Sequence, residues 1–227
     1  MKIEIPTLAL ALSAGCAGAA VHGGHEHHGH AAGDHFEHDF SDAAAWSKRF
    51  DDPARDEWQR PDEVVRLLEL SEGKVAADIG AGTGYFLPHL SKAVGPSGKV
   101  WGLDVEQSLV AWMNDRATIE GLANVEAKLI AKDDPALEAS PVDRILIVDT
   151  WHHIGGRDDY SQKLRKGLRP GGMVMVVDFT KDSPEGPPPE HRLPPEAVVE
   201  TLTKAGFTTA IAEESLPRQY VVIGRVP

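Results

Sequence analysis

The sequence has little cysteine: Cys16 is the single one among 227 residues. One thiol excludes an internal disulfide, a CxxC redox pair and a cysteine-rich zinc site within one chain. No run of 18 apolar residues follows the N-terminal segment, so the body of the chain is not predicted to span a membrane. Clustered basic residues are also lacking, since 23 Lys and Arg stand against 35 Asp and Glu, a net charge of −12. This balance argues against nucleic acid as the main partner, because affinity for phosphates comes from clustered cations.

The remaining composition, 41% hydrophobic and 26% charged residues, is that of one globular domain with an extension. Residues 1–20 form the start of the extension. They contain Lys2, a short apolar stretch, and small residues just before Cys16. This order is typical of an export signal and resembles the bacterial lipoprotein signal, although Ser13 stands where that pattern has leucine. Cleavage after Ala19 and an uncleaved, disordered N-terminus are the alternatives.

Residues 21–40 hold seven of the eleven histidines, at positions 22, 25, 27, 28, 30, 35 and 38. The segment is too rich in glycine and histidine to pack, which predicts a disordered tether. Neutral imidazoles bind zinc, copper and nickel, so weak metal binding is possible, and a solvated spacer is the simpler interpretation. We therefore expect a protein of the cell envelope with a lipid anchor at Cys16. A cytoplasmic protein is the alternative.

The body of the chain alternates between predicted strands and helices. Residues 41–60 are interpreted as a helical lead, and 61–226 as the domain proper, which starts with Pro61 at the first position of a helix. Strands alternating with helices indicate an α/β fold with helices on both faces of a parallel sheet. The predicted strands cover residues 75–79, 100–103, 125–130, 144–148, 173–177, 207–213 and 218–224, with helices at 85–94, 107–120, 159–168 and 195–205. The last two strands are too closely connected to be parallel, so the sheet is predicted to end with an antiparallel strand.

A glycine-rich junction after the first strand is the sharpest motif. It reads Asp78-Ile-Gly80-Ala-Gly82-Thr-Gly84-Tyr85. Glycines at a strand-to-helix junction let the backbone turn tightly and approach a ligand. A dinucleotide fingerprint would need glycine where Tyr85 stands, and a P-loop would need Gly-Lys-Ser/Thr, which does not occur.

This G-x-G-x-G loop resembles the first motif of the class I S-adenosylmethionine-dependent methyltransferases. The resemblance covers about residues 46–226 and includes Asp104 at the end of the second strand and Leu168-Arg-Pro-Gly-Gly172 before the fifth. The stretch from Trp46 to Trp58 is similar to the lead of one bacterial subgroup. The resemblance implies a Rossmann-like three-layer sandwich with a mostly parallel, seven-stranded sheet, and S-adenosyl-L-methionine as cofactor.

The resemblance also implies which residues bind the cofactor. The ribose hydroxyls would be bound by Asp104, and the methionyl part by the three glycines. An acid after the third strand would contact adenine, and two adjacent acids qualify equally. The predicted cofactor-binding residues are Asp78, Gly80, Gly82, Gly84, Asp104, Asp133, Asp134 and Asp149. Each has a structural alternative, such as capping a turn or ending a strand. No metal-binding residue is predicted in the body.

The candidate catalytic residues are His152 and His153, which follow the fourth strand. Ligands of open α/β sheets bind beyond the carboxyl ends of the strands, and an imidazole titrates near neutrality, as a general base requires. Either histidine could instead bond a neighbouring loop. Weaker candidates are Tyr160, Glu190 and His191.

Two further segments bear on the acceptor. Residues 183–195 contain six prolines and are interpreted as a semi-rigid flap, with a plain connector as the alternative. The aromatic residues Trp46, Phe50 and Trp58 fit either a lid or ordinary core. The function predicted is transfer of a methyl group to a small or lipophilic acceptor molecule. An exported metal-binding protein with a non-catalytic body is the second hypothesis, and Tyr85 disfavours a nicotinamide oxidoreductase.

Overall fold

Seven apolar segments form one sheet in the structure, a computed structural model that describes residues 42–227. The central strands are buried on both faces, as a covered parallel sheet requires. The strands are β1 (Val75–Ile79), β2 (Lys99–Asp104), β3 (Val125–Leu129), β4 (Val142–Val148), β5 (Leu168–Phe179), β6 (Thr208–Ile211) and β7 (Gln219–Arg225). The predicted signal, residues 1–20, and the predicted tether, residues 21–40, lie outside the described residues.

The strand order is β3-β2-β1-β4-β5-β7-β6. The first five strands in this order are parallel, and β7 runs antiparallel to both β5 and β6. The predicted fold class is therefore confirmed, and the antiparallel strand lies inside the sheet with β6 at its edge. The strand order reverses between β1 and β4, which places a crevice beyond the carboxyl ends of these two strands.

Helices cover both faces of the sheet. Their bounds are α1 (Ala43–Phe50), α2 (Arg55–Gln59), α3 (Pro61–Leu67), α4 (Leu87–Val94), α5 (Gln107–Ile119), α6 (Arg157–Lys166) and α7 (Pro195–Lys204). One apolar core joins α3, α4 and α5 to the sheet through residues such as Leu90 and Met113. A second joins α6 and α7 to the opposite face through Leu164 and Leu202. The three-layer arrangement follows from these two cores.

Several local predictions differ from the structure. The helix predicted at 159–168 is observed at Arg157–Lys166, and Leu168 begins β5. The helix after the glycine loop begins at Leu87 and not at Tyr85, because Gly84 has a φ of +82° and the chain is still turning there. The segment before Met173, predicted as a turn, is a bulge within β5: Val142 pairs with Leu168, but Arg144 pairs with Met173. Gly171, with a φ of +71°, takes up the extra residues. Within residues 42–227, no helix is long and apolar enough to cross a bilayer.

Candidate active site

A cavity of about 580 Å³ opens beyond the carboxyl ends of β1, β2, β4 and β5. Its floor is made of the loops that follow these strands. The helices α1 and α2 supply Trp46, Phe50, Arg55 and Trp58 to its wall. The volume is within the range of small-molecule sites. The helical lead is thus part of the site, and its three aromatic residues line the cavity.

The glycine loop forms the part of the wall nearest β1. Gly80 and Gly82 have φ values of +69° and +59°, a region that side chains disfavour. A Cβ at Gly80 would lie 2.3 Å from Thr150, and one at Gly82 would lie 3.5 Å from the ring of Phe50. Both glycines line the cavity. Close backbone approach therefore requires glycine at 80, while Phe50 covers the loop at 82.

The carboxylate of Asp104 fastens the glycine loop to the end of β2. Its two oxygens accept hydrogen bonds from the N–H groups of Gly82 at 2.9 Å and Glu106 at 3.0 Å. Burial raises the pKa of Asp104, and these hydrogen bonds oppose the rise because they favour the charged form. The side chain also lines the cavity, so its remaining lone pairs suit ligand hydroxyls.

Two more acids lie at the cavity floor: Asp78 near the end of β1, and Asp149 directly after β4. Burial raises the pKa of each to about 7, and the guanidinium of Arg55 opposes the rise. Gln219 donates to Asp149 Oδ1 at 2.6 Å, and Arg55 lies 3.8 Å from its other oxygen. Asp149 also has a φ of +52°, unusual outside glycine. The predicted acids Asp78, Asp104 and Asp149 thus converge on one cavity.

Arg55 was not predicted as a site residue. Its guanidinium donates to the main-chain oxygen of Phe50 at 3.0 Å and to Gln59 Oε1 at 2.8 Å, and it lies 4.2 Å from the centre of the Tyr85 ring. Burial lowers the pKa of Arg55, and the charge of Asp149 opposes this. Arg55 therefore connects the helical lead to the cavity floor. The sequence does not mark it as a site residue, because its partners at the cavity, Asp149 and Tyr85, are distant along the chain.

His152 is the candidate base with the more defined geometry. Its Nδ1 lies 2.9 Å from Asp178 Oδ1 and 3.1 Å from Asp178 Oδ2. The two side chains are only 6% and 4% exposed, and His152 lines the cavity. His153 also lines the cavity, with its ring 4.2 Å from that of His152. Asp178 was missed, although an acid inside the apolar run of β5 was a usable signal.

The Pro-rich segment forms the far wall of the cavity, where Glu185, Gly186 and Pro187 line it. The buried guanidinium of Arg192 donates to five main-chain oxygens, three in this segment, at residues 183, 185 and 187, and two just before it, at residues 180 and 181. Arg192 thus connects several turns of the backbone around one buried side chain. The segment lies at the cavity, as the flap interpretation expects. Its internal hydrogen bonds are those of a fixed wall and not of a moving flap.

Several predicted residues do not reach the cavity. Asp133 and Asp134 have side chains 86% and 53% exposed and lie near Lys163. Gly84 faces the core, where a Cβ would lie 2.7 Å from Leu87. The cavity lining also excludes the three weaker catalytic candidates Tyr160, Glu190 and His191. Tyr160 is buried, and burial raises the pKa of its hydroxyl.

The cavity fits S-adenosyl-L-methionine, the expected cofactor. Buried carboxylates suit the ribose hydroxyls and the cationic groups of that molecule, and aromatic rings at the wall suit a sulfonium. Asp104, Asp78 and the backbone of Gly80 and Gly82 would hold it. Within residues 42–227, no group of three or more His, Cys, Asp or Glu side chains is placed to bind a metal ion.

Comparison with known proteins agrees with S-adenosyl-L-methionine as the cofactor. A family model described as "Methyltransferase domain" matches residues 76–172. A ubiquinone/menaquinone biosynthesis C-methyltransferase of Hydrogenovibrio crunogenus is 28% identical over 125 residues, 55% of this chain and 48% of that protein. The Burkholderia mallei protein of the same name is 31% identical over 118 residues, 52% and 48% of the two chains. The chain therefore spans about half the length of the curated relatives it matches.

Solved structures extend the match beyond the family segment. A SAM dependent methyltransferase from Aquifex aeolicus superposes with a TM-score of 0.77 and 29% identity, covering 84% of this chain and 100% of that chain. A [4+2]-cyclase superposes with a TM-score of 0.60 and 18% identity, over 74% of this chain and 80% of that chain. The likeness to the cyclase concerns the fold alone. The reaction must therefore be argued from the side chains of the site.

Proposed function

Because the chain belongs to the S-adenosylmethionine-dependent methyltransferase family, we propose that it transfers a methyl group from S-adenosyl-L-methionine to a small or lipophilic acceptor. The observation that carries this proposal is the glycine loop bonded to Asp104 at the edge of an acid-lined cavity. The acceptor would occupy the other end of that cavity, between Trp58, Phe179 and the Pro-rich wall.

The bound cofactor would supply an electrophilic methyl carbon. Asp104 and the glycine loop then orient the ligand, and α1 and α2 exclude water from it. His152 is proposed as the general base that accepts a proton from the acceptor, because it reaches the cavity with one ring nitrogen already bonded to Asp178. His153, its neighbour in the lining, is the second candidate for the same role.

Calorimetric titration of the full chain with S-adenosylmethionine, S-adenosylhomocysteine and NAD tests the proposal. We expect binding of both adenosyl ligands and none of NAD. Replacing His152 or His153 with alanine should lower turnover by about 10²–10⁴ for the true base while leaving cofactor affinity nearly unchanged. Absence of adenosyl-ligand binding would contradict the proposal, and losses under threefold in both variants would remove the histidines from the mechanism.

We also propose export to the cell envelope with lipidation of Cys16 and the His-rich segment 21–40 as a tether that can bind metal weakly. The support is the order of residues at the N-terminus. A lipidated protein sediments with membranes and leaves them only in detergent. Cys16→Ser should release the protein or block its processing. A native protein that is soluble in the cytoplasm with Met1 intact would refute this address.

A further inference from the structure

We infer that the acceptor is an aromatic hydroxyl compound of the phenol class, whose ring lies against Trp58 and Phe179 and whose hydroxyl proton is removed by His152 under the control of Asp178. The inference rests on the proposed function and adds the acceptor class and a positioning residue to it. Three features carry it: the bonding of His152, the shape of the wall beside it, and the charges around that wall.

The bonding of His152 determines which ring nitrogen can act. Asp178 places both carboxylate oxygens within 3.1 Å of Nδ1, and its Oδ1 also accepts the N–H of Phe179 at 2.8 Å. An ionised carboxylate only accepts hydrogen bonds, so Nδ1 of the neutral ring carries the hydrogen. The lone pair is then on Nε2. Arg157 fixes the backbone of the same turn, donating to the main-chain oxygens of Trp151 and His152 at 3.1 and 3.0 Å.

The wall beside His152 is built of flat groups. The rings of Trp58 and Phe179 lie 6.2 Å apart at 36°, and those of His152 and Phe179 lie 6.4 Å apart. Gly186 in the Pro-rich wall is so close to Phe179 that a Cβ would lie 2.3 Å from its ring. Flat rings of this kind, tilted against one another, favour a planar apolar ligand. The base and the ring-binding surface are therefore adjacent.

The charges near the wall distinguish among acceptors. The guanidinium groups of Arg55 and Arg218 lie 5.7 and 5.3 Å from the ring centre of Trp58. Each is paired with a carboxylate of the cavity lining, Arg55 with Asp149 at 3.8 Å and Arg218 with Glu185 at 3.2 Å, so the charges beside Trp58 are balanced and favour a neutral acceptor over an ammonium or a carboxylate. A carboxylic acid is already ionised at neutral pH and needs no base, whereas a phenol, with a pKa of about 10, does. A phenol is neutral at that pH, so it suits a wall of balanced charge and still needs the base.

The acceptor O–H proton moves to Nε2 of His152, giving an imidazolium stabilised by Asp178. The acceptor oxygen forms a bond to the methyl carbon as the carbon–sulfur bond breaks, and that electron pair stays on sulfur. The imidazolium then releases its proton to solvent. Asp178 keeps its charge throughout and acts only through the orientation of the histidine ring.

The test compares acceptors of different acidity. Wild type, Asp178→Asn and the exposed control Asp182→Asn are assayed with radiolabelled S-adenosylmethionine and phenol, 4-nitrophenol, benzoate or benzylamine. We expect transfer to the phenols. Asp178→Asn should lower kcat on phenol by about 10–100-fold, with cofactor affinity within about twofold of wild type. The loss should nearly vanish on the more acidic 4-nitrophenol, which ionises without help, and Asp182→Asn should match wild type.

Nitrogen-15 NMR of histidine-labelled wild-type protein gives a second measurement that needs neither turnover nor a stable variant. In spectra recorded at a pH where the ring is neutral, the hydrogen of His152 should lie on Nδ1. Hydrogen on Nε2, equal losses on both phenols, or preferred transfer to benzoate or benzylamine would each overturn the inference. Cofactor binding without transfer to either phenol would also overturn it. Failure to bind the cofactor would instead refute the proposed function itself.

Discussion

The main-chain N–H of Gly82 donates to Asp104 Oδ2 at 2.9 Å, which ties the loop after β1 to the end of β2. One carboxylate thus shapes the glycine loop and faces the ligand. The neighbouring strands are in register up to this point, with Ile79 opposite Leu103. The position of the acid follows from the sheet, so its loss should affect the ligand more than the fold.

We expect Asp104→Ala to weaken S-adenosylmethionine binding by at least about tenfold. Loss of hydrogen bonds to a charged group costs about 1.5–3 kcal/mol, and 1.4 kcal/mol corresponds to tenfold. Calorimetry measures the dissociation constant. The control is Asp115→Ala on the exposed face of α5, which should bind as wild type does. Unchanged affinity in Asp104→Ala would exclude the ribose assignment.

Arg192 should be required for an ordered Pro-rich wall. Arg192→Ala leaves five main-chain oxygens without their common donor, and we expect a loss of at least about 3 kcal/mol in the free energy of unfolding. Hydrogen exchange at residues 180–187 should accelerate, while exchange in β1 and β2 stays slow. Arg165→Ala, on exposed α6, is the matched control. Exchange rates unchanged in the segment would show that other contacts order it.

How much of this site is readable from sequence depends on the distance over which its contacts form. The glycine loop and Asp104 were predictable, because a strand-loop-helix unit and the next strand bring them together locally. Asp178 meets His152 only after β4 and β5 pair, with Val148 opposite Val177. No spacing rule encodes that register.

Other site residues also depend on contacts between distant parts of the chain. Arg55 acts through Asp149, which is reached only when α2 lies across the end of the sheet. The position of Asp133 and Asp134 after β3 made them plausible contacts of adenine. In the structure they lie on the outer surface, near Lys163 of α6. Arg192 in a Pro-rich stretch carried no pattern at all, since its five acceptors are main-chain atoms. Local geometry was predictable, and long-range polar partners were not.

Asp78 should make the stability of the ligand-free protein fall as pH rises. Burial raises its pKa from 3.8 to about 7, with Arg55 opposing and Asp104 adding to the rise. At low pH both the folded and the unfolded states hold the proton. Between about pH 4 and 7 only the folded state does, so the free energy of unfolding falls by about 1.4 kcal/mol per pH unit. Above about pH 7 the contribution is lost.

Asp78→Asn removes this titration. The free energy of unfolding of the variant minus that of wild type should therefore be larger at about pH 8 than at about pH 5, by about 2–3 kcal/mol. Urea unfolding at the two pH values measures the difference, and other titrating groups such as Asp149 cancel because both proteins contain them. Asp115→Asn should show no such difference. A difference near zero would mean that Asp78 is already ionised in the folded protein at pH 5.

The helical lead should contribute directly to cofactor affinity through Phe50. Its ring covers Gly82 and stacks on Trp46 with centroids 5.0 Å apart, while the adjacent Asp51 accepts hydrogen bonds from Thr83 at 3.0 Å and Arg116 at 2.8 Å. Because Asp51 holds the helix end independently, Phe50→Ala should leave α1 in place. The substitution removes the apolar ring that covers Gly82.

We expect Phe50→Ala to weaken S-adenosylmethionine binding by about 5–30-fold, the effect of about 1–2 kcal/mol of lost apolar contact. Phe50→Leu, which keeps an apolar side chain, should lose less. Titration of the three proteins with S-adenosylhomocysteine checks the result, and unfolding in urea checks that the fold is intact. Equal affinity in wild type and Phe50→Ala would mean that the lead covers the loop without touching the ligand, so that its anchor at Asp51 would serve the fold alone.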